Sequence, residues 1–187
     1  RVNITTREHQ DLTPTWTRLF QNSGEVHFDL APDGSQLALA ANTTPPPYGG
    51  FLNNDIYLIP TDGSGTMQNV TPENKASDDN PKFAPDGKSL VFARHQIPYG
   101  NGVNTPLTAA LDYAISEVEF SADGKTIWTT AEEKGVVPVF RLNADGTHFG
   151  AVYQAGTSSS LSASGGSLVF LNDTTSRPNE LFALDPA

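Results

Sequence analysis

The chain has 187 residues, with 11 basic against 21 acidic side chains and a net charge of −10. So few and so scattered cations do not grip a phosphate backbone, and nucleic acid is excluded as a partner. No run approaches the roughly 18 apolar residues of a membrane helix, and the lack of cysteine excludes a disulfide framework and thiolate chemistry.

In chain order, Val2 to Pro14 reads as outer strands leading into Trp16. Four copies of one phrase follow: LAPDGSQLALA from Leu30, FAPDGKSLVFA from Phe83, FSADGKTIWTT from Phe120 and LSASGGSLVFL from Leu161. Aligned on Gly34, Gly87, Gly124 and Gly165, each has Leu or Phe four residues before the glycine. Each has Leu37, Leu90, Ile127 or Leu168 three residues after it. Apolar strand, Asp-Gly-type turn, apolar strand is a β-hairpin. A third strand follows in three copies, as IYLIP from Ile56, VFRLN from Val139 and LFALD from Leu181. It carries an aromatic column (Tyr57, Phe140, Phe182) and an aliphatic one (Ile59, Leu142, Leu184).

The glycines are 53, 37 and 41 residues apart, close to the roughly 40–50 residues of a four-stranded propeller blade. The expected fold is therefore all-β: a β-propeller fragment of about four blades built from four-stranded antiparallel sheets. Residues 1–187 form one partial propeller domain, with blades near 30–72, 83–108, 120–155 and 161–187. The second blade is shortened, since Gln96 to Leu107 holds no counterpart of the third strand. About four blades fall short of a ring, so self-association through open blade edges is expected. A self-contained four-bladed ring is the competing architecture.

The phrases FAPDGKSLVFA, DIYLIPTDG and NVTP resemble the TolB-like repeats of bacterial propellers. SDDNPKFAPDGKSLVFAR and TIWTTAEEKGVVPVFRLNADGT resemble, more narrowly, the N-terminal propeller of prolyl-oligopeptidase-family serine peptidases. Within that family the likeness is to the acylaminoacyl-peptidase and dipeptidyl-peptidase branches. It covers roughly residues 11–187. The resemblance implies a propeller that gates and orients peptides for an α/β-hydrolase domain of the same parent chain, with no activity of its own. The alternative it leaves is a TolB-like protein-binding module without chemistry. It also implies a bacterial origin and a periplasmic or secreted location, with the cytoplasm as the alternative.

No GxSxG nucleophile string occurs in the chain, and no motif sets His9, His27, His95 or His148 beside a serine. Catalytic residues, cofactors and metals are therefore expected to be none here. The carboxylates around Asn53-Asn54-Asp55 and Asp62-Gly63-Ser64 lack the alternating oxygens and terminal Glu of a calcium loop, and read as turns. Candidate contacts to substrate or partner are Asp78, Asp79 and Asn80 in an inter-blade link, where Asp and Asn before Pro also serve turn geometry. Tyr48 is a further candidate, in a proline-rich loop able to present an aromatic face. Glu132 and Glu133 resemble the paired glutamates with which dipeptidyl peptidases clamp a peptide amine, but in a hairpin link beside Lys134 the residues themselves read as a solvated turn. Trp128 is expected to fill a blade-to-blade contact. Asn3, Asn42, Asn69 and Asn172 begin glycosylation-type triplets.

Overall fold

The structure, a computed structural model, describes residues 2–18, 20, 26–45, 53–95, 107–108, 114–164 and 166–185. These hold thirteen strands and no helix. They divide into two compact units, Arg1–Phe83 with Gly87–Gly102 and Ala84–Asp86 with Val103–Ala187.

The first unit contains β1 (Phe28–Leu30), β2 (Gln36–Asn42), β3 (Asn54–Pro60) and β4 (Gln68–Asn69), an antiparallel sheet in chain order. Behind it lies the two-stranded sheet of β5 (Asp78–Phe83) and β6 (Leu90–Arg94). The second unit contains β7 (Ile115–Phe120), β8 (Thr126–Ala131), β9 (Val139–Asn143) and β10 (Gly150–Tyr153) as one four-stranded sheet. Its other sheet is three-stranded: β11 (Thr157–Ser164), β12 (Ser167–Thr174) and β13 (Arg177–Leu184).

The hairpins form where the repeated phrase places them. Gly34 donates its N–H to Ala31 O at 2.7 Å, and Ala31 donates to Gln36 O at 2.9 Å. Asp33 Oδ1 accepts from both Ser35 N and Ser35 Oγ. The same turn recurs at Ser121–Thr126 around Asp123. Gly34, Gly87 and Gly124 sit at φ of 72°, 67° and 70°, a left-handed conformation that glycine adopts without a Cβ penalty. The fourth hairpin departs from this pattern. Ser164 pairs directly with Ser167, so the loop is shorter, and Gly166 in it is left-handed at φ 94°, while Gly165 lies outside the described residues. This copy has Ser164 where the others have the turn Asp, so it lacks the carboxylate that caps the wider turn.

Alternation sets the cores. In the first unit Leu39, Tyr57 and Ile59 are buried on one face of the sheet, covered by Leu12, Trp16 and Phe20. In the second unit Trp128 and Val139 pack with Leu168 and Phe170 of the adjacent sheet. Trp128 is 3% exposed, so its packing role is borne out.

Blades are also latched by carboxylates. Asp29 Oδ2 on β1 accepts the N–H of Phe83 on β5 at 2.8 Å. Glu117 on β7 accepts the N–H groups of Ser160 and Leu161 on β11, both at 2.9 Å. Ser160 occupies φ 56° where the β11–β12 register shifts, and the bulge aims two adjacent donors at one carboxylate.

One expectation needs correction. Residues 2–14 form no outer strands. Asn3 Oδ1 instead accepts the N–H of Thr5 and Thr6, and a single Val2–His9 bridge closes a turn. Residues 2–11 are exposed and bury no apolar face, so no sheet forms on them. Two of the sheets are four-stranded, as expected, and among the described residues β11–β13 has three strands and β5–β6 two. The shortened stretch of the second blade, 96–106, lies outside the described residues.

Candidate functional site

In the first unit the link from β4 to β5 and the start of β3 converge at one end of the sheets. Asp78 opens β5 and is fully buried. Arg94, its register partner on β6, donates Nε to Oδ1 at 2.7 Å and Nη2 to Oδ2 at 2.6 Å. Asn74 donates to Oδ1 at 2.9 Å and also ties Ala76 O and His95 O. Asp78 is therefore committed to the protein interior, as a bidentate ion pair that fixes the link, and offers no free face to a ligand.

Asp79 points elsewhere. Its Oδ1 accepts from Asn54 Nδ2 at 3.1 Å and lies 3.8 Å from His27 Nδ1. The Asp79 side chain is 20% exposed and that of His27 36%, so both reach solvent. His27 Nδ1 has no hydrogen bond of its own. Asn80 sits at φ 52° within a register shift between Asp79 and Lys82, and this bulge turns consecutive acids to different surroundings. Asp79, His27 and Asn54 thus form a half-open cluster with an acceptor, an imidazole and an amide.

Beside it, Asp55 is 3% exposed and accepts from Asn69 at 2.6 Å and Asn53 at 3.2 Å. Burial raises its pKa above the ordinary 3.8 against the lowering by Asn69, with the Asp78 charge adding to the rise. The Asn53-Asn54-Asp55 string is a strand start with its amides spent internally. Asp62 caps Ser64 N in a turn, as its sequence suggests. No group of three or more His, Cys, Asp or Glu able to hold a metal occurs among the described residues.

Glu132 and Glu133 lie in the second unit. Glu133 and Val136 exchange backbone hydrogen bonds of 2.9 and 3.1 Å across Lys134 and Gly135, at φ of 53° and 82°. Two left-handed residues in succession are the signature of a type I′ hairpin turn. Glu133 pairs with Lys134 at 3.6 Å, Lys134 being 88% exposed, and Glu132 is exposed. The pair decorates a hairpin tip. Next to that tip an open cleft of about 700 Å³ runs along Gly135, Gly156, Asp173 and the β12–β13 turn. Tyr48 lies outside the described residues.

Sequence reading missed His27 and Asn54. One signal was present, because His27 and Asn80 stand at the same offset, seven residues before their turn glycines. The glycosylation-type triplets also separate. Asn42 and Asn172 are fully buried, Asn69 donates to Asp55, and Asn3 is exposed.

No family model matches the chain. It is 28% identical over 198 residues to a probable dipeptidyl-peptidase 5 of Trichophyton verrucosum, covering 86% of this chain and 27% of that protein. The chain thus spans about a quarter of the length of such relatives. They are fungal, so the sequence match lends no support to the bacterial origin that the repeats suggest. In fold the chain is similar to TolB from Acinetobacter baumannii, with a TM-score of 0.70 at 18% identity, over 98% of this chain and 45% of that one. It is also similar to a puromycin-hydrolyzing peptidase of Mycobacterium tuberculosis, with a TM-score of 0.60 at 17% identity, over 85% of this chain and 29% of that one. The chain is a run of TolB-like β-propeller repeats, similar to the propellers of prolyl-oligopeptidase-family serine peptidases.

Proposed function

We propose that this chain is the non-catalytic propeller portion of a prolyl-oligopeptidase-family serine peptidase, gating and orienting short peptides for a hydrolase domain of the same parent chain. The observation that carries the reading is the match to dipeptidyl-peptidase 5 over 86% of the chain. The absence of GxSxG from the 187 residues is consistent with chemistry performed elsewhere in the parent. Gating needs a rigid rim and a few oriented polar groups. Asp79, half-open beside His27 and Asn54, is the best-placed acceptor for a peptide ammonium, with Asn80 shaping the bulge that presents it. Glu132 and Glu133 are secondary contacts on a hairpin tip, and Tyr48 a further one. Asp78 acts by holding the link in place. The location consistent with this reading is periplasmic or secreted, and no described helix is long and apolar enough to cross a membrane.

The test uses the full product of the parent reading frame. A serine-reactive fluorophosphonate is expected to label it, and dipeptidyl amides are expected to be cleaved in preference to peptides of about thirty residues, which gating excludes. Asp79→Asn is expected to raise KM with little change in kcat, the pattern of lost ground-state binding. No labelling and no hydrolysis would overturn the peptidase reading and leave a TolB-like binding module, which the fold similarity supports.

A further inference from the structure

One cross-strand pair of the third blade departs from the repeat. Trp128 on β8 stands opposite Arg141 on β9, where the other copies pair Ala38 with Leu58 and Val169 with Ala183. The repeat therefore needs no cation at this position. The half-buried Arg141 guanidinium lies over the Trp128 ring, 5.9 Å from its centroid. Such a contact uses the face of the guanidinium and leaves its N–H donors free. Among the described residues nothing accepts a hydrogen bond from it or pairs with its charge, Glu119 across Trp128 on β7 included.

Arg141 lines a cavity of about 320 Å³ that lies wholly within the second unit. Its other walls are Trp128, Thr126, Ser121, Asp123 and Gly166. Thr126 precedes Trp128 by two residues on β8, so its side chain shares the face that carries Arg141. The turn uses only the backbone of Thr126, whose N–H goes to Ser121 Oγ at 2.9 Å and whose carbonyl accepts from Ser121 N. Its hydroxyl has no partner among the described residues, although Thr126 is 8% exposed. A hydroxyl and a guanidinium thus face one small cavity with their donors unspent. Asp123 stands exposed in the lining, its Oδ1 engaged by Ser121 Oγ at 2.7 Å and Lys125 N at 3.0 Å.

We infer that this cavity binds a carboxylate, the α-carboxylate of a free amino acid or of the C-terminus of a short peptide, held by Arg141 and Thr126. The planar fork of Arg matches a carboxylate with two parallel hydrogen bonds, and the hydroxyl supplies a third donor. Asp123 decides between a carboxylate and a phosphate, because its negative charge opposes a dianion more than a monoanion. The volume, at the small end of ligand pockets, suits one or two residues rather than a folded partner. The inference does not depend on peptidase activity, since the site is complete within this chain.

The test follows individual arginines in the full product of the reading frame. The protein is treated with the serine-reactive fluorophosphonate, so that no peptide is hydrolysed, and then with phenylglyoxal. Modification of each arginine is read by peptide mass analysis. Without ligand, Arg141 is expected to react at a rate between those of exposed Arg7 and of Arg94, which is locked against Asp78. Alanine or trialanine in excess is expected to slow Arg141 at least about fivefold, as occupancy of a single site requires, and to leave Arg7 unchanged. Protection by alanine identifies a free amino acid as a sufficient ligand, and protection by trialanine alone identifies a peptide C-terminus. Either outcome supports the site. No protection, equal protection by trialanine amide, or protection by inorganic phosphate as strong as by the carboxylates would overturn it. An Arg141 that does not react without ligand would do the same. Thr126→Val is expected to raise the half-protecting concentration about three- to tenfold through loss of one donor. An unchanged concentration would overturn the two-donor site.

Discussion

At the scale of single residues, the acids at the starts of β3 and β5 separate by what surrounds each carboxylate. Asp78 and Arg94 form a buried, bidentate pair, and removing one partner leaves an uncompensated buried charge. Arg94→Ala is expected to cost about 3–5 kcal/mol, read from urea unfolding. Replacing both partners by apolar residues of similar size should cost much less than that, and equal losses would argue against the pair. Asp55 makes a pH prediction. Burial raises its native pKa above 3.8, so the folded state binds that proton more tightly than the unfolded chain. Its contribution to stability is complete below the unfolded value and is lost as pH rises through the raised native one. The stability deficit of Asp55→Asn relative to the wild type should therefore shrink between pH 3.5 and 7. Asp33, Asp123 and Asp145 run the other way. Hydrogen bonds to their turn hydroxyls and amides lower their pKa values, so their contributions fade as pH falls through those lowered values.

At the scale of elements, the hairpins and latches carry the architecture. Glu117→Ala would strip the acceptor from two adjacent N–H groups at the β11 bulge, and a loss of about 1–3 kcal/mol is expected. Glu117→Gln, which keeps one carbonyl acceptor, should recover part of it in the same urea titration. Gly156 permits a second check. It sits at φ 65° with its Cα against the carbonyl of Asp173, so a Cβ there would overlap backbone. Gly156→Ala is expected to destabilise by more than the roughly 1–2 kcal/mol of a left-handed alanine alone.

The elements also explain what was readable. The strands around Gly34, Gly87 and Gly124 were legible because turn chemistry and alternation act over a few residues. The left-handed glycine and the Asp cap are spelled out locally. The fourth turn is tighter than the other three, and its Ser-Gly-Gly-Ser string lacks that cap. Residues 2–14 were misread because their position ahead of the first repeat does not say whether a sheet edge is there for them to join. The cluster of Asp79 with His27 and Asn54 was missed because it joins residues some 25 to 52 positions apart. Its existence depends on a bulge that no string of letters announces.

At the scale of the whole molecule, the repeat leaves surfaces whose fate depends on solution conditions. β13 is an eight-residue strand at the edge of its sheet, with no described strand on its far side, and Leu181 stands on the uncovered face. An open edge beside exposed apolar surface is a template for association. Pro178 and Glu180 blunt the first half of that edge, while Leu181 to Leu184 carries no charge. A net charge of −10 opposes the approach of two such chains, but that repulsion is screened within about 8 Å at physiological salt and more strongly above it. The 187-residue chain by itself is therefore expected to sediment as a monomer at low ionic strength and to associate as salt is raised. Leu181→Glu should suppress that association without altering the β-sheet circular dichroism. A chain that stays monomeric at high salt and high concentration would show that neither the edge nor the face is available. Association unaffected by Leu181→Glu would place the contact elsewhere, for instance at Phe28 and Leu30, which are 62% and 52% exposed on β1.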